Sequence, residues 1–208
     1  TSELPTEMNN ELFSGWYPPV DAACVYALKK AGAILIGKTV TTPFAVGHTN
    51  KTRNPHNYTK TPGGSSSGSG AAVGAGIIPI ALGTQTRGSL LRPASYCGAV
   101  GFKPSLNSIH MGGVHPLSPT LDHLGVISGS ISDAWAALYF MSKVRGGNIG
   151  HVPYINDNLE QERSSLKRIA IMNFDEWDKA GLATNKEFEN IIENIKFNGC
   201  EVISSKYD

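Results

Sequence analysis

From Thr61 to Ser130 the chain carries only four charged residues, Arg87, Arg92, Lys103 and Asp122, in seventy positions. Backbone that poor in charge has little to offer water. With Gly and Ser spread through it, the stretch reads as chain packed closely against itself. Residues 151–208 are the opposite case, with eighteen charges in fifty-eight positions, and read as ordinary surface elements. Disorder requires low hydrophobicity together with high net charge. A 40% apolar composition with a net charge of +1 supplies neither.

Other classes fall away on similar grounds. No apolar run approaches the roughly 18 residues of a membrane span, because Gly, Pro or Ser interrupts each one. Thr1 to Asn10 shows neither the basic region nor the apolar core of a signal peptide. Nucleic-acid binding needs clustered Lys and Arg, and near-neutral charge argues against it. Cys24, Cys97 and Cys200 are odd in number and far apart, which fits reduced thiols and a cytoplasmic setting. The 208 residues amount to one large domain or a piece of one.

Helix and strand signals alternate along the chain. Asp21 to Ala31 reads as a helix stopped by Gly32, followed by a buried strand at Ala33 to Ile36. Gly70 to Gly76 reads as a short helix leading into a strand at Ile77 to Leu82, where Pro79 is awkward. Ser132 to Val144 is a helix that starts on Ser132 and buries a face of Trp135, Leu138, Tyr139 and Met141. Arg168 to Met172 is a strand. Thr184 with Glu187 forms a capping box for a helix to Asn198, with Phe188, Ile191, Ile192 and Ile195 on one face. Gly199 stops that helix, and Cys200 to Ile203 begins another strand. The pattern predicts an α/β fold, a layered mixed sheet flanked by helices. The chain opens on a loop and closes on an uncovered strand, so the fold is expected to be incomplete at both ends.

Three short motif matches fail in context. Gly32 to Thr39 satisfies G-x-x-x-x-G-K-[ST], but the intervening Ala33-Ile34-Leu35-Ile36 is strand-like rather than a phosphate-cradling loop. Lys38 is better read as a strand-end lysine with a structural hydrogen bond. Gly64 to Gly68 matches G-x-S-x-G, yet no apolar strand precedes it, as a nucleophile elbow requires. The six histidines never pair at metal-ligand spacing.

Two segments carry more. They are Pro62 to Gly70 (PGGSSSGSG) and Gly83 to Gly101 (GTQTRGSLLRPASYCGAVG). Glycine at this density lets backbone N–H groups point into a shared space, as a developing oxyanion needs. A helix beginning near Gly70 would add positive dipole potential to the serine loop. A flexible linker would not run straight into AAVGAGIIPIAL and then a second loop of similar chemistry.

These segments resemble the amidase signature family, the Ser–Ser–Lys amide hydrolases. Trp16 to Gly129 carries most of the resemblance, and the family pattern continues more weakly to the end, so residues 1–208 read as part of a single amidase domain with its signature core at about 16–129. GKTVTTPFAVG, TRNPHN, PGGSSSGSGAAVGAG, GTQTRGSLLRPASYCGAVGFKPS and TLDHLGVIS follow one another in the family's order. The resemblance implies that Ser89 is the acylated nucleophile. It implies that Ser65 is the bridging serine, 24 residues earlier, after a cis Gly64–Ser65 peptide. The oxyanion hole would be the backbone N–H groups of Thr86, Arg87, Gly88 and Ser89, and the two serine hydroxyls should lie within hydrogen-bond reach. Serine is a poor nucleophile until a base takes its proton. In this family a neutral lysine does so through the bridging serine.

The pattern departs from the family in three places. The family lysine sits in a G-x-P-x-x-x-K-D segment roughly seventy residues before the bridging serine, which falls ahead of Thr1, and Lys38 matches a different family position. The expectation is therefore a base outside this chain, with residues 1–208 inactive alone. Arg87 stands where the family usually has Gly, and would narrow the acyl pocket, bind an anionic substrate or face solvent. Gln85, where many members have Asp, reads as a tolerated variant. The resemblance implies a small-molecule amide substrate, no cofactor, no nucleic acid or membrane partner, and a homodimer as an open possibility. The alternatives are a non-catalytic amidase-like binding protein and an aminoacyl-tRNA amidotransferase subunit.

Overall fold

The computed structural model describes residues 1–153, 167–173, 177 and 179–206. The chain divides into two compact units, Thr1–Leu159 and Glu160–Asp208.

The first unit contains α1 (Ala23–Lys30), α2 (Ser67–Gly74), β1 (Ile80–Gln85), α3 (Leu91–Tyr96), β2 (Val100–Phe102), β3 (His123–Ser128) and α4 (Ile131–Arg145). Its sheet has the order β1-β3-β2, with both neighbours antiparallel to β3. Every residue of β3 from Leu124 to Ser128 is buried. Successive side chains on a strand face opposite ways. Leu124 and Val126 accordingly join Cys24 and Ala27 of α1 and Ala134, Ala137, Leu138 and Met141 of α4 in one core cluster. Ile127 points to the other side, into a cluster with Val73 of α2, Ala81 of β1, and Leu90 and Ala94 around α3. Helices thus cover both faces of this sheet, giving the layered α/β arrangement expected.

A bare patch on the sheet positions the serine loop. Gly83 of β1 pairs directly with Gly125 of β3. A Cβ added at Gly83 would lie 2.8 Å from Ser66 Oγ, and one at Gly125 would lie 2.7 Å from Leu90 Cδ1. With no side chains there, the serine loop and the start of α3 settle onto the sheet. Helix α2 packs on α3 by the same means. A Cβ at Gly70 would sit 2.8 Å from the Pro93 carbonyl oxygen, and one at Gly74 would run into the Cys97 carbonyl.

Several boundaries differ from those expected. The segment Ala33 to Ile36 is neither a strand nor buried, and Ile34 and Ile36 are 83% and 75% exposed. Among the described residues no strand runs beside it, so its backbone has no ladder to join. Helix α2 begins at Ser67, three residues before Gly70, because Gly70 N–H already bonds the Ser66 carbonyl at 3.0 Å. Strand β1 starts after Pro79, whose carbonyl accepts from Gly129 N–H at 3.0 Å. That resolves the awkward proline. Helix α4 is capped by Ser130 rather than Ser132, the Ser130 hydroxyl accepting from Asp133 N–H at 3.1 Å. Gly32, at φ +92°, ends α1 as anticipated.

The second unit holds β4 (Arg168–Asn173), α5 (Leu182–Phe197) and β5 (Glu201–Lys206). The strands pair in parallel from Arg168↔Glu201 to Asn173↔Lys206, joined through α5 as parallel neighbours require. The expected capping box does not form. Gly181 is the N-cap, and its carbonyl accepts from Thr184 N–H (2.9 Å) and Asn185 N–H (3.1 Å), which places Thr184 inside the helix. Phe188 stacks on Trp177 with centroids 4.3 Å apart.

Candidate active site

Ser65 and Ser66 sit immediately before α2, at the end where its N–H dipoles point outward. The Gly64–Ser65 peptide is cis, as the resemblance implies. Both carbonyls around it are held. The Gly64 carbonyl accepts from Arg92 Nη2 at 2.7 Å and Nε at 3.1 Å. The Ser65 carbonyl accepts from Thr42 N–H, Thr41 Oγ1 and Ser67 N–H, at 3.0, 3.0 and 2.8 Å. Ser65 itself is buried.

The turn after β1 carries Thr86 to Ser89 and meets the serine loop at one bond, Ser66 N–H to the Ser89 carbonyl at 3.1 Å. The structure therefore brings the two predicted serines' segments together. Their hydroxyls do not hydrogen-bond to each other among the described residues, so that expectation is not met in the resting structure. The loop bonds Ser89 through its carbonyl and leaves the side chain uncommitted. Catalytic hydrogen bonds are often long or misaligned without substrate. No backbone hydrogen bond among the described residues uses the N–H of Thr86, Arg87, Gly88 or Ser89. Thr86, Gly88 and Ser89 are half-buried, while Arg87 is exposed.

Four residues to which sequence reasoning gave no part in the site lie around these two loops. Gln85, read as a tolerated variant, is buried, and its Oε1 accepts from both Leu90 N–H and Leu91 N–H at 3.0 Å. It satisfies donors at the start of α3 that lack partners within the helix. Asp122 is also buried. One of its oxygens accepts from Thr86 Oγ1 at 2.5 Å, and the other accepts from Leu117 and Ser118 N–H, each at 2.8 Å. As the one acid in residues 61–130, Asp122 carried a signal in its isolation, since a lone buried carboxylate needs donors. Arg92 is the third. Thr42 is the fourth: it is 5% exposed, and its hydroxyl has no hydrogen-bond partner among the described residues.

Lys38 lies elsewhere. Its ammonium donates to Thr6 Oγ1 at 2.6 Å, the structural bond expected of it, and burial lowers its pKa. Cys24 and Cys97 are buried free thiols, both shifted upward by burial, Cys24 to about 11. No helix among the described residues is long and apolar enough to cross a membrane.

The amidase family model matches residues 1–207. A glutamyl-tRNA(Gln) amidotransferase subunit from Rhodopirellula baltica is 41% identical over 148 residues, which make up 68% of this chain and 30% of that one. Among solved structures, a glutamyl-tRNA(Gln) amidotransferase subunit from Thermotoga maritima superposes with a TM-score of 0.83 at 28% identity, over 99% of this chain and 47% of its own. Peptide amidase of Stenotrophomonas maltophilia does so with a TM-score of 0.83 at 26% identity, over 99% and 45%. The chain belongs to the amidase family and has its α/β fold. It spans less than half the length of these three relatives.

Proposed function

We propose that the protein cleaves amide C–N bonds through an acyl-enzyme on Ser89, with Ser65 as proton relay. The observation that carries this reading is the junction of the two loops. Ser66 N–H binds the Ser89 carbonyl, and in the turn beside it the N–H groups of Thr86 to Ser89 have no partner among the described residues. Such donors stabilise an oxyanion because they are aimed before charge develops. The Ser89 hydroxyl oxygen attacks the amide carbonyl carbon, and its proton passes through the Ser65 hydroxyl to a base. The C–N bond then breaks, with that proton delivered to the leaving amine. Water attacks the ester and releases the acid. We assign the base to a lysine outside residues 1–208, because Lys38 is bonded to Thr6. Both units would then belong to a single amidase domain, consistent with the family match over 1–207.

The substrate in this reading is a small-molecule amide, in a reducing compartment such as the cytoplasm, where Cys24, Cys97 and Cys200 stay free. Arg87 is exposed, has no partner among the described residues, and adds positive potential beside the turn. A second reading, as one component of an amidotransferase, is favoured by the names of relatives such as those of R. baltica and T. maritima. The test is amine or ammonia release from a panel of small carboxamides by the complete protein, with Ser89→Ala as control. Release by the protein alone that is lost in Ser89→Ala supports the first reading. Release only with partner proteins and aminoacyl-tRNA selects the second. Binding without release in either format identifies a non-catalytic member.

A further inference from the structure

We propose that Arg92 is a positioning residue for Ser65, acting through the Gly64 carbonyl. This inference rests on the reading of Ser65 as relay. Residues 61–130 contain four charges, and two of them, Asp122 and Arg92, bond directly to the loops of the site. Arg92 lies on α3, one turn beyond Ser89, with its N–H bonded to the Gly88 carbonyl at 3.0 Å. Its guanidinium reaches back to the serine loop and places two donors, Nη2 at 2.7 Å and Nε at 3.1 Å, on the single Gly64 carbonyl oxygen. That oxygen belongs to the peptide group whose nitrogen is the Ser65 amide. Fixing it fixes the plane from which the Ser65 side chain departs.

The contact is not a by-product of burial, because Arg92 is exposed. A free guanidinium on a surface would remain hydrated, and its long stem gains no packing from folding back. Its planar fork holds a fixed acceptor better than a mobile ammonium does. Gly63, at φ +79°, lies so close to α3 that a Cβ would meet Pro93 Cα at 3.1 Å, and Gly64 itself has no side chain to anchor. Arg92 therefore links the helix that follows the nucleophile to the peptide that precedes the relay, so that the two serines are set by one element.

The test uses the complete protein and the second-order rate at which a fluorophosphonate labels Ser89, with thermal unfolding measured in parallel. A neutral phosphonate reagent has no carboxylate, so direct binding of a charged substrate group by Arg92 would leave the rate unchanged. Arg92→Ala should label about 10- to 100-fold more slowly, the scale of a lost charge-assisted hydrogen bond. Its unfolding midpoint should match wild type, since the side chain is exposed. Arg92→Lys should recover part of the rate. Added guanidinium at low millimolar concentration should restore Arg92→Ala, where an equal ionic strength of sodium chloride does not. Labelling of Arg92→Ala at the wild-type rate overturns the proposal and leaves the acyl-enzyme reading standing. A slow rate that neither guanidinium nor Arg92→Lys improves also overturns it. Absence of wild-type labelling at Ser89 overturns the underlying reading instead. Should Arg92→Ala fail to fold, the comparison of Arg92→Lys with Arg92→Gln decides by the same criteria.

Discussion

Ser66 donates its backbone N–H to the carbonyl of Ser89 at 3.1 Å, and this one bond joins the loop before α2 to the turn before α3. Around it the backbone polar groups are either tied down or left free in a pattern that favours chemistry. The carbonyls of Gly64, Ser65 and Ser89 are bonded, whereas the N–H groups of Thr86 to Ser89 have no partner among the described residues. An arrangement that commits its acceptors to structure and keeps its donors available suits a site that must receive negative charge.

Replacing Ser65 by Ala should slow acylation of Ser89 by about 10²- to 10⁴-fold, the usual contribution of a positioned proton-transfer group. Stability should hardly move, because the Ser65 hydroxyl makes no hydrogen bond among the described residues. Fluorophosphonate kinetics and urea unfolding of the same preparation check both halves. An unchanged rate would remove Ser65 from the relay.

Replacing Gln85 by Leu should cost about 1–3 kcal/mol, the penalty for leaving buried donors unsatisfied. Leu90 N–H and Leu91 N–H would both lose their acceptor. The urea midpoint should fall with an unchanged slope. A midpoint equal to wild type would mean that the cap is dispensable.

The glycines divide into those that cannot take a side chain and those that can. Gly74→Ala would push a methyl into the Cys97 carbonyl and should destabilise by about 1–3 kcal/mol, as overpacking does. Gly88→Ala meets nothing nearer than Arg92 Cβ at 3.9 Å. It should stay within about 0.5 kcal/mol of wild type, because the added methyl displaces nothing. Equal effects in the two variants would contradict the packing described for α2 on α3.

Part of the core was legible because α4 keeps the periodicity of a helix covered on one face, whereas β3, the central strand, was not read as a strand in the sequence. Leu138 and Met141 fall on the buried face, as the spacing requires. Ser65 and Ser89 were singled out from glycine and serine density together with the family order, and the structure joins the loops that carry them. Three kinds of feature were hidden. Apolar character in Ala33 to Ile36 signals a strand, but a strand forms only beside another, and none is described there. Helix starts slipped at Ser130 and Gly181, because serine at two nearby positions and a backbone-only cap give no distinguishing sequence signal. The roles of Gln85, Asp122 and Arg92 depend on which backbone groups lie across the turn from them. Local pattern does not encode that.

Burial raises the Cys24 thiol to about 11 from an ordinary value of 9.0. The neutral form is favoured in the folded protein, so this stabilising contribution is full below pH 9.0. It is lost as the pH rises from there through about 11. At pH 8 iodoacetamide should therefore leave Cys24 unmodified in the native protein and alkylate it after urea unfolding, as read by peptide mass spectrometry. Rapid native alkylation would show that the α1 face is open to solvent.

The most direct test of the acyl-enzyme account is the site of covalent modification. The complete protein is treated with a fluorophosphonate, digested, and the adduct located by tandem mass spectrometry. The account predicts the adduct on Ser89 and its loss in Ser89→Ala. An adduct on Ser66, the central serine of the G-x-S-x-G match, would contradict it and give the serine loop the nucleophile.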